Sequence, residues 1–439
     1  MKKNGNDMED FKMKTKIFFS LFVVLALFAC SNDDIQETSP SDPQPSAITF
    51  DLTPIHPDEG ASDITRAVKQ GWVSGDVIFV FFNNIAAPKY LKMYYDGSTW
   101  TTIEMNGDTQ ESLGLSNGAT GTMRAVYLPF GCNAKVSKSG TSFVFDKTYY
   151  TFYLTATLAY KVEDNKVSGA FNMTIPADYV QFFVEDASAV DEAYSLGTDA
   201  VAPVGIASIS ADGTVVETTD KTAADDMPGY AYSGGFLFSG KLVNGYGSNH
   251  YFALIKNSDN TRHDYFVTGK TLASHSAVKL PANGNGKWQP VGSGQYFEMK
   301  KDNMSLGKWY TGNFYDNGTT ATSCLNPEDA GTKLTHASAI ARTDFTLPSK
   351  DQYDALITNC SWTWLSIHGV YGMVVQSDTG FLFFPSSDNN RCDYWASTPS
   401  SYSGYSYTLY VKHDHNSSIC ETNYDNNNKE FFVRYLKKE

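Results

Sequence analysis

The chain has 439 residues, enough for roughly two to four domains of ordinary size. Its formal net charge is −14 and no long basic run interrupts that balance, which excludes binding to nucleic acid or anionic headgroups through overall charge. Aromatic residues make up 14% of the chain and charged residues only 19%, a mixture that favours strands over helical bundles.

The N-terminal residues have the pattern of an export signal. Lysines precede an apolar run at residues 17–29, which is too short to span a bilayer comfortably and ends in small residues before Cys30. Met13 is a better translational start than Met1, because the residues between them carry charges of both signs. The pattern predicts a cleaved signal peptide over residues 1–29.

The run Leu27-Phe28-Ala29-Cys30 resembles the lipobox of bacterial lipoproteins. The resemblance implies that the Cys30 thiol carries a diacylglycerol, whose acyl chains hold the protein at a membrane. The alternative to a lipobox is an ordinary secretory signal followed by a chance cysteine. Ser31-Asn32-Asp33-Asp34 resembles the acidic export signal of Bacteroidetes lipoproteins, which implies a cell-surface location on the outer membrane. The alternative for residues 30–46 is a plain solvated linker, since the segment is rich in Pro, Ser and Asp.

From residue 48 onward, short apolar runs alternate with turn residues. No amphipathic pattern longer than about three helical turns is convincing before residue 340. These patterns predict a mainly β fold, with two tandem antiparallel β-sandwich domains at residues 47–178 and 179–293. The clearest runs and turn signals are Val77–Phe82, Thr151–Thr155, Val180–Val184, Asp96-Gly97, Asn106-Gly107, Asn117-Gly118 and Asp212-Gly213.

An ordered set of motifs between Ile48 and Gly292 resembles the fimbrillin-like family of Bacteroidetes surface lipoproteins and pilins. The resemblance implies two β-sandwiches and assembly with other pilin subunits by strand exchange, in which an arginine-specific protease removes the first strand. The motifs are Ile64-Thr65-Arg66-Ala67, Trp72-Val73-Ser74-Gly75-Asp76-Val77-Ile78, Tyr94-Tyr95-Asp96-Gly97-Ser98-Thr99-Trp100, Arg124-Ala125-Val126-Tyr127-Leu128-Pro129, Tyr251-Phe252-Ala253-Leu254, Gly269-Lys270-Thr271-Leu272 and Ala277-Val278-Lys279-Leu280-Pro281.

In this chain the resemblance makes Ile48–Leu52 the removable strand and Arg66 the site of proteolytic processing. A strand donated by a neighbour then fills the open groove, because unpaired backbone groups and an empty apolar groove are costly. The alternative is a permanent edge strand, with Arg66 as a solvated loop residue.

Residues 294–439 differ in composition from the rest of the chain, because they contain four of the six cysteines and four of the seven tryptophans. A helix is predicted at Lys350–Ile357 with Ser349 as its N-cap. The continuous apolar run Phe381–Phe384 predicts a central strand.

A second ordered set of motifs resembles the FISUMP-type major paralogous domain, which is similar to C-type-lectin-like folds. The resemblance implies an α+β domain at residues 294–439, although residues 297–322 follow the family's opening only loosely. The motifs are Phe345-Thr346-Leu347-Pro348-Ser349, Asn359-Cys360-Ser361-Trp362-Thr363-Trp364, Gly369-Val370-Tyr371-Gly372, Phe381-Leu382-Phe383-Phe384-Pro385, Tyr394-Trp395-Ala396-Ser397-Thr398 and Phe432-Val433-Arg434-Tyr435-Leu436.

Tyr402, Tyr405 and Tyr407 lie among serines and a glycine, a composition typical of binding surfaces in which Tyr gives contact area at low entropy cost. With Trp395 they are the candidate ligand-binding residues, for a host or bacterial glycan or a protein. The alternatives are a tyrosine-rich hairpin without a ligand and, for Trp395, packing in the core.

No cofactor or metal is predicted. His413-Asp414-His415 lacks a third ligand at a compelling spacing, and the Asp- and Asn-rich runs at 387–390 and 425–428 are more simply solvated turns. No cysteine pair has C-x-x-C spacing, and the four cysteines of residues 294–439 allow three disulfide pairings. No nucleophile, zinc or phosphate-loop motif is present, so the chain is not predicted to be an enzyme.

Together these patterns predict a cell-surface lipoprotein that acts as a pilus tip or accessory adhesin, in the outer membrane and possibly part of a fimbrium. Its only membrane contact would be the N-terminal lipid. The alternatives are an anchored glycan-capture lipoprotein and a purely structural surface protein that does not polymerise.

Overall fold

The computed structural model describes residues 48–55, 71–83, 89–103, 113–129, 136–140, 142–185, 193–232, 234–243, 247–274, 276–316, 320–386, 390–414 and 417–438, which belong to one compact unit, Ala47–Glu439. Cys30, Arg66 and Cys132 lie outside these residues. Within them, no helix has the length and apolar character needed to cross a membrane.

The fold is mainly β, as predicted. The first strands are β1 (Thr49–Ile55), β2 (Val77–Phe82), β3 (Tyr90–Tyr95), β4 (Trp100–Ile103), β5 (Thr120–Leu128), β6 (Val136–Ser139), β7 (Ser142–Tyr150), β8 (Leu154–Lys161) and β9 (Lys166–Asn172). The middle strands are β10 (Tyr179–Glu185), β11 (Tyr194–Gly197), β12 (Val201–Ala202), β13 (Gly205–Ser210), β14 (Val215–Thr218), β15 (Met227–Pro228), β16 (Tyr230–Tyr232), β17 (Gly235–Leu242), β18 (His250–Lys256), β19 (Arg262–Val267), β20 (Ser276–Lys279) and β21 (Gln289–Val291).

The C-terminal region contains both described helices. Its elements are β22 (Tyr296–Lys301), β23 (Met304–Tyr310), β24 (Phe314–Asp316), β25 (Ala321–Ser323), β26 (Leu334–Thr335), α1 (His336–Ile340), β27 (Phe345–Thr346), α2 (Lys350–Asn359), β28 (Ser361–Ile367), β29 (Val370–Gln376), β30 (Phe381–Pro385), β31 (Arg391–Pro399), β32 (Tyr405–Asp414), β33 (Ser417–Asn426), β34 (Glu430–Phe431) and β35 (Leu436–Lys437).

The N-terminal and middle regions are built from layered sheets. Strands pair in the orders β4-β3-β2-β5-β8, β14-β13-β7-β6 and β1-β9, followed by β12-β17-β10-β20 (with β16 beside β17) and β15-β11-β18-β19-β21. Most pairs are antiparallel, but β1 pairs with β9 and β10 with β20 in parallel. One sheet joins β7 to β13, so strands on either side of residue 178 share a ladder and a hydrophobic core. The predicted domain boundaries stay predictions.

The residues of two turns favour the hairpins in which they lie. Asp96-Gly97 lies between β3 and β4, where Gly97 has φ +105° and the Asp96 carboxylate accepts hydrogen bonds from the Ser98 and Thr99 amides, each at 2.7 Å. Asp212-Gly213 joins β13 to β14, with Gly213 at φ +84°. Because these backbone conformations favour glycine, the sequence identifies the turns before any tertiary contact is known.

The predicted helix is present as α2. The Ser349 hydroxyl accepts a hydrogen bond from the Gln352 backbone N–H, and the Gln352 side-chain oxygen accepts one from the Ser349 backbone N–H. These two bonds form a capping box. The expectation of a central strand at Phe381–Phe384 is wrong, because β30 is at one end of the three-stranded order β28-β29-β30. Its side chains are buried because both faces are covered: Phe384 packs in one hydrophobic cluster and Phe383 in another.

A buried ionic network joins the middle region to the C-terminal region. Arg262 donates from Nε to Asp264 (2.7 Å) and from Nη1 to Glu328 (2.8 Å), and all three side chains are buried. His368 contacts Glu328 through Nδ1 (2.7 Å) and Asp226 through Nε2 (3.1 Å). Buried charges are retained when paired in this way, since an unpaired ion in the interior is strongly destabilising.

His368 occupies an unusual position in this network. It starts the two-residue turn between β28 and β29, with φ +48°, and is followed by Gly369 at φ +78°. A side chain at Gly197 would place Cβ 2.2 Å from His368 Nε2, so only glycine leaves room for the imidazole. Next to the network, Tyr251 packs edge-on against Phe381 with ring centroids 5.7 Å apart.

The pH dependence of unfolding tests this network. Burial alone would lower the pKa of His368, but its hydrogen bonds to Asp226 and Glu328 raise it to about 9 from 6.5. The protonated imidazole therefore stabilises the fold fully below pH 6.5, and this contribution is lost between pH 6.5 and pH 9. We expect the free energy of unfolding to fall by up to about 3 kcal/mol over this window, measured by urea denaturation.

The variant His368→Gln should reduce this slope to what the other groups contribute, chiefly Asp264, whose pKa burial raises well above its ordinary value. His413→Gln, at a histidine outside the network, should keep the full slope. An unchanged slope in His368→Gln would show that the ion pairs do not stabilise the junction. Burial opposes the charge on Glu328, but Arg262 and His368 hold its pKa at about 2, so its own contribution is lost only at acidic pH and leaves this window undisturbed.

Candidate functional site

The first strand has hydrogen-bonded neighbours on one side only among the described strands. β1 pairs in parallel with β9, from Thr49 opposite Lys166 to Ile55 opposite Asn172. The burial of its side chains alternates, because successive residues of a strand point to opposite faces. Ile48 and Leu52 are each 6% exposed, whereas Thr49, Asp51 and Thr53 face solvent. The strand covers one core, and no second described strand pairs with its other backbone edge.

Few side-chain contacts fix β1 beyond this ladder. Phe50 packs edge-on against Phe82 with ring centroids 5.9 Å apart, and the Trp72 indole N–H donates to the Pro54 carbonyl at 3.1 Å. Asp51 pairs with Lys166 at 2.7 Å, but both side chains are solvent-exposed, and such pairs contribute little to stability. The attachment of β1 therefore depends on apolar burial and backbone pairing.

The tyrosines predicted as ligand-binding residues come together around a fourth tyrosine that the sequence did not single out. Tyr407 is directly opposite Tyr424 in the β32–β33 ladder, and their ring centroids are 6.3 Å apart. The rings of Tyr402 and Tyr405 lie 5.3 Å and 6.2 Å from that of Tyr424. We call Tyr402, Tyr405, Tyr407 and Tyr424 the tyrosine surface.

The tyrosine surface is accessible and has a charged border. Tyr402 is 59% exposed and Tyr424 44% exposed. Lys350 Nζ lies 5.4 Å from the Tyr407 ring centroid, and its hydrogen bond to Asp354 raises the pKa of the lysine. This arrangement places aromatic rings and phenol hydroxyls at the surface, with the Lys350 ammonium group at its border.

Trp395 lies in the core and not on the tyrosine surface. It is fully buried, its indole N–H donates to the Leu334 carbonyl at 2.7 Å, and its ring is 4.8 Å from that of Phe431. The core-packing alternative describes this residue, since a ligand could reach the ring only if the core opened. Trp362 and Trp364 are half-buried in β28.

The cysteines in the described residues are free thiols. Cys392 and Cys420 both lie opposite Val411, on the strands either side of β32. Two strand spacings of about 4.8 Å separate their backbones, which is beyond the reach of a disulfide. Burial raises the pKa of both Cys324 and Cys420 to about 12, so these thiols are unreactive.

The described residues contain no group of His, Cys, Asp and Glu side chains that could hold a metal ion. His413 is stacked on Trp364 with ring centroids 5.0 Å apart and contacts the Ser418 hydroxyl at 2.9 Å. His415 and residues 387–389, also weighed as oxygen or nitrogen ligands, lie outside the described part of the chain.

Comparisons with known proteins give weak similarities. No family model matches the chain, and no curated protein matches it. A solved structure described as a candidate cell adhesion protein of Bacteroides ovatus has 12% identity and a TM-score of 0.32, over 56% of this chain and 96% of that chain. A fimbrial protein of the same species has 13% identity and a TM-score of 0.26, over 89% and 99%.

The fimbrial anchor protein Mfa2 of Porphyromonas gingivalis has 11% identity and a TM-score of 0.23, over 55% of this chain and 94% of that chain. Similarities of this size do not assign the chain to a family.

Substitutions that separate surface from core test the placement of the aromatic residues. Trp395→Ala should lower the free energy of unfolding by about 3–5 kcal/mol, because it empties a packed site. Tyr402→Ala should change it by less than about 0.5 kcal/mol, because the ring is largely solvated. Urea denaturation of the two variants measures both values, and equal effects would contradict the placement.

Proposed function

We propose that the chain is a surface-displayed adhesin of a fimbrial assembly, anchored through lipidated Cys30, which exchanges its first strand and binds a ligand through the tyrosine surface. The observation that carries the proposal is the position of β1, a strand that has one ladder partner among the described strands and whose apolar face completes a core. The segment between β1 and β2 contains Arg66, so cleavage there would separate the strand from the rest of the chain.

The energetics favour replacement of β1 over an empty groove. Ile48 and Leu52 are buried in the first core, and Phe50 packs against it. Each fully buried side chain of this size contributes roughly 1.5–3 kcal/mol, so loss of β1 without a substitute is costly. A donated strand with apolar residues at alternate positions restores both the burial and the ladder to β9.

The C-terminal strand favours a tip or accessory position over a shaft position. β35 lies between β23 and β27 in the order β22-β23-β35-β27, and Leu436 is 4% exposed. Donation of β35 to a neighbour would open the C-terminal core, so this strand is poorly suited to extend a filament. A subunit that accepts a strand without donating this one would end a chain of subunits.

A second candidate function is an anchored lipoprotein that captures glycans through the tyrosine surface and does not polymerise. The accessibility of Tyr402 and Tyr424 supports binding in either case. The two candidate functions differ in whether β1 is removed and replaced by a strand from another subunit.

Cleavage at Arg66 tests strand exchange. When the purified full chain is treated with an arginine-specific protease, we expect a new N-terminus at Ala67 and uptake of an added synthetic peptide with the sequence of Thr49–Ile55, which stands in for the donated strand. Arg66→Ala should stay uncleaved at this position and take up no peptide, whereas Lys69→Ala, in the same segment, should behave as the unaltered chain. Mass spectrometry of the termini and fluorescence anisotropy of the labelled peptide measure the two outcomes, and peptide uptake by Arg66→Ala would contradict the proposal.

A glycan array tests the tyrosine surface. We expect the full chain to bind at least one glycan, and Tyr424→Ala to weaken that binding about tenfold because it removes the central ring. Tyr315→Ala is the matched control, since Tyr315 is 52% exposed on another part of the C-terminal region. Equal binding by both variants would exclude the tyrosine surface as the glycan site.

A further inference from the structure

A cleft of about 470 Å³ lies where the middle region meets the hairpin formed by β28 and β29. The middle region contributes Asp199 and Asn249 to its walls, and the hairpin contributes Trp364, Ser366 and Tyr371. Small-molecule sites have volumes of roughly 300–1,000 Å³, combine apolar walls with a few polar groups and often occur at such junctions. The cleft does not include the tyrosine surface.

Asp199 in this cleft has an incomplete set of hydrogen bonds. Its side chain is buried, and Oδ2 accepts from the Ser366 hydroxyl and from the Gly369 amide, the latter at 3.4 Å. Oδ1 is buried and has no partner within the described residues. An unpaired buried acceptor costs roughly 1–3 kcal/mol. Because Oδ1 is closed to solvent, a ligand donor reaches it when the carboxylate rotates toward the cleft, and the unpaired acceptor favours that rotation.

The aromatic wall is held in a fixed orientation. Ser366 and Tyr371 are direct partners in the β28–β29 ladder, and Trp364 precedes Ser366 by two residues, which places the three on one face of the hairpin. His413 covers one face of the Trp364 ring at an interplanar angle of 8°. Tyr371 is 56% exposed, so its ring is available to a ligand.

We propose that this cleft binds a saccharide unit. A pyranose ring has apolar C–H faces that pack on aromatic rings and hydroxyls that both donate and accept hydrogen bonds. Trp364 and Tyr371 supply the aromatic surface, while Asp199 and the Asn249 amide group supply the polar partners. Burial raises the pKa of Asp199, which suits a neutral hydroxyl better than a site built for a cation. The inference is independent of strand exchange.

Saturation-transfer NMR on the full chain tests the proposal, with the methyl glycosides of glucose, galactose, mannose and N-acetylglucosamine as probes. We expect saturable binding of at least one glycoside. Asp199→Asn and Tyr371→Ala should each weaken it about tenfold, since each removes one recognition element. The titrations are carried out in the Tyr424→Ala background, which removes the tyrosine surface as a competing glycan site, and Tyr315→Ala in that background should leave the binding unchanged, because Tyr315 lies outside the cleft.

Circular dichroism confirms that both cleft variants are folded before the titration. If Asp199→Asn destabilises the junction, Tyr371→Ala still tests the cleft, because it removes a largely exposed ring. Absence of saturable binding by every glycoside would overturn the proposal. Binding that survives both cleft substitutions would also overturn it. If n-butylamine bound and no glycoside did, the site would take an ammonium group instead.

Discussion

The pairing of β1 with β9 is the constraint on which the N-terminal region depends. Without β1, the apolar groove beneath Ile48 and Leu52 would be open to water, and β9 would lose its described ladder partner. Among the described strands β1 pairs with β9 alone, and the proposed exchange would replace it with a similar strand from a neighbouring subunit. A β-sandwich can use this incompleteness for assembly.

The C-terminal region depends on a different interaction, the buried guanidinium of Arg262. Its bonds to Asp264 and Glu328, with His368 beside them, hold the β28–β29 hairpin against the middle region. Tyr251 and Phe381 pack next to the ions and keep water away. The cleft at Asp199 is lined by the same hairpin and by the middle region.

The sequence predicts local structure well and long-range structure poorly. Turn dipeptides such as Asp96-Gly97 and the capping residue Ser349 act within a few residues, so their patterns identify the hairpin and α2 directly. The parallel pairing of β1 with β9 joins residues that are more than a hundred positions apart, and no local pattern marks it. Burial of β30 by two clusters likewise depends on partners from elsewhere in the chain, which is why a continuous apolar run suggested a central strand.

The candidate sites also contain some residues that the sequence identifies and others that only the long-range structure identifies. Three tyrosines of the tyrosine surface could be selected from composition, but Tyr424 becomes central only through the register of β32 and β33. Asp199 has no sequence signal, since its role follows from the carboxylate oxygen left without a partner. Cys30 and Arg66, which carry the proposed anchoring and processing, were predicted from motifs alone.

Hydrogen exchange of the intact, uncleaved chain tests the central claim, the separability of β1, most directly. The account predicts that the β1 amides bonded to β9 exchange through a local opening, far faster than the amides of β10, which is paired on both sides by β17 and β20. If the β1 amides were protected to the same free energy as those of β10, the first strand would open only with global unfolding, and the account would be contradicted.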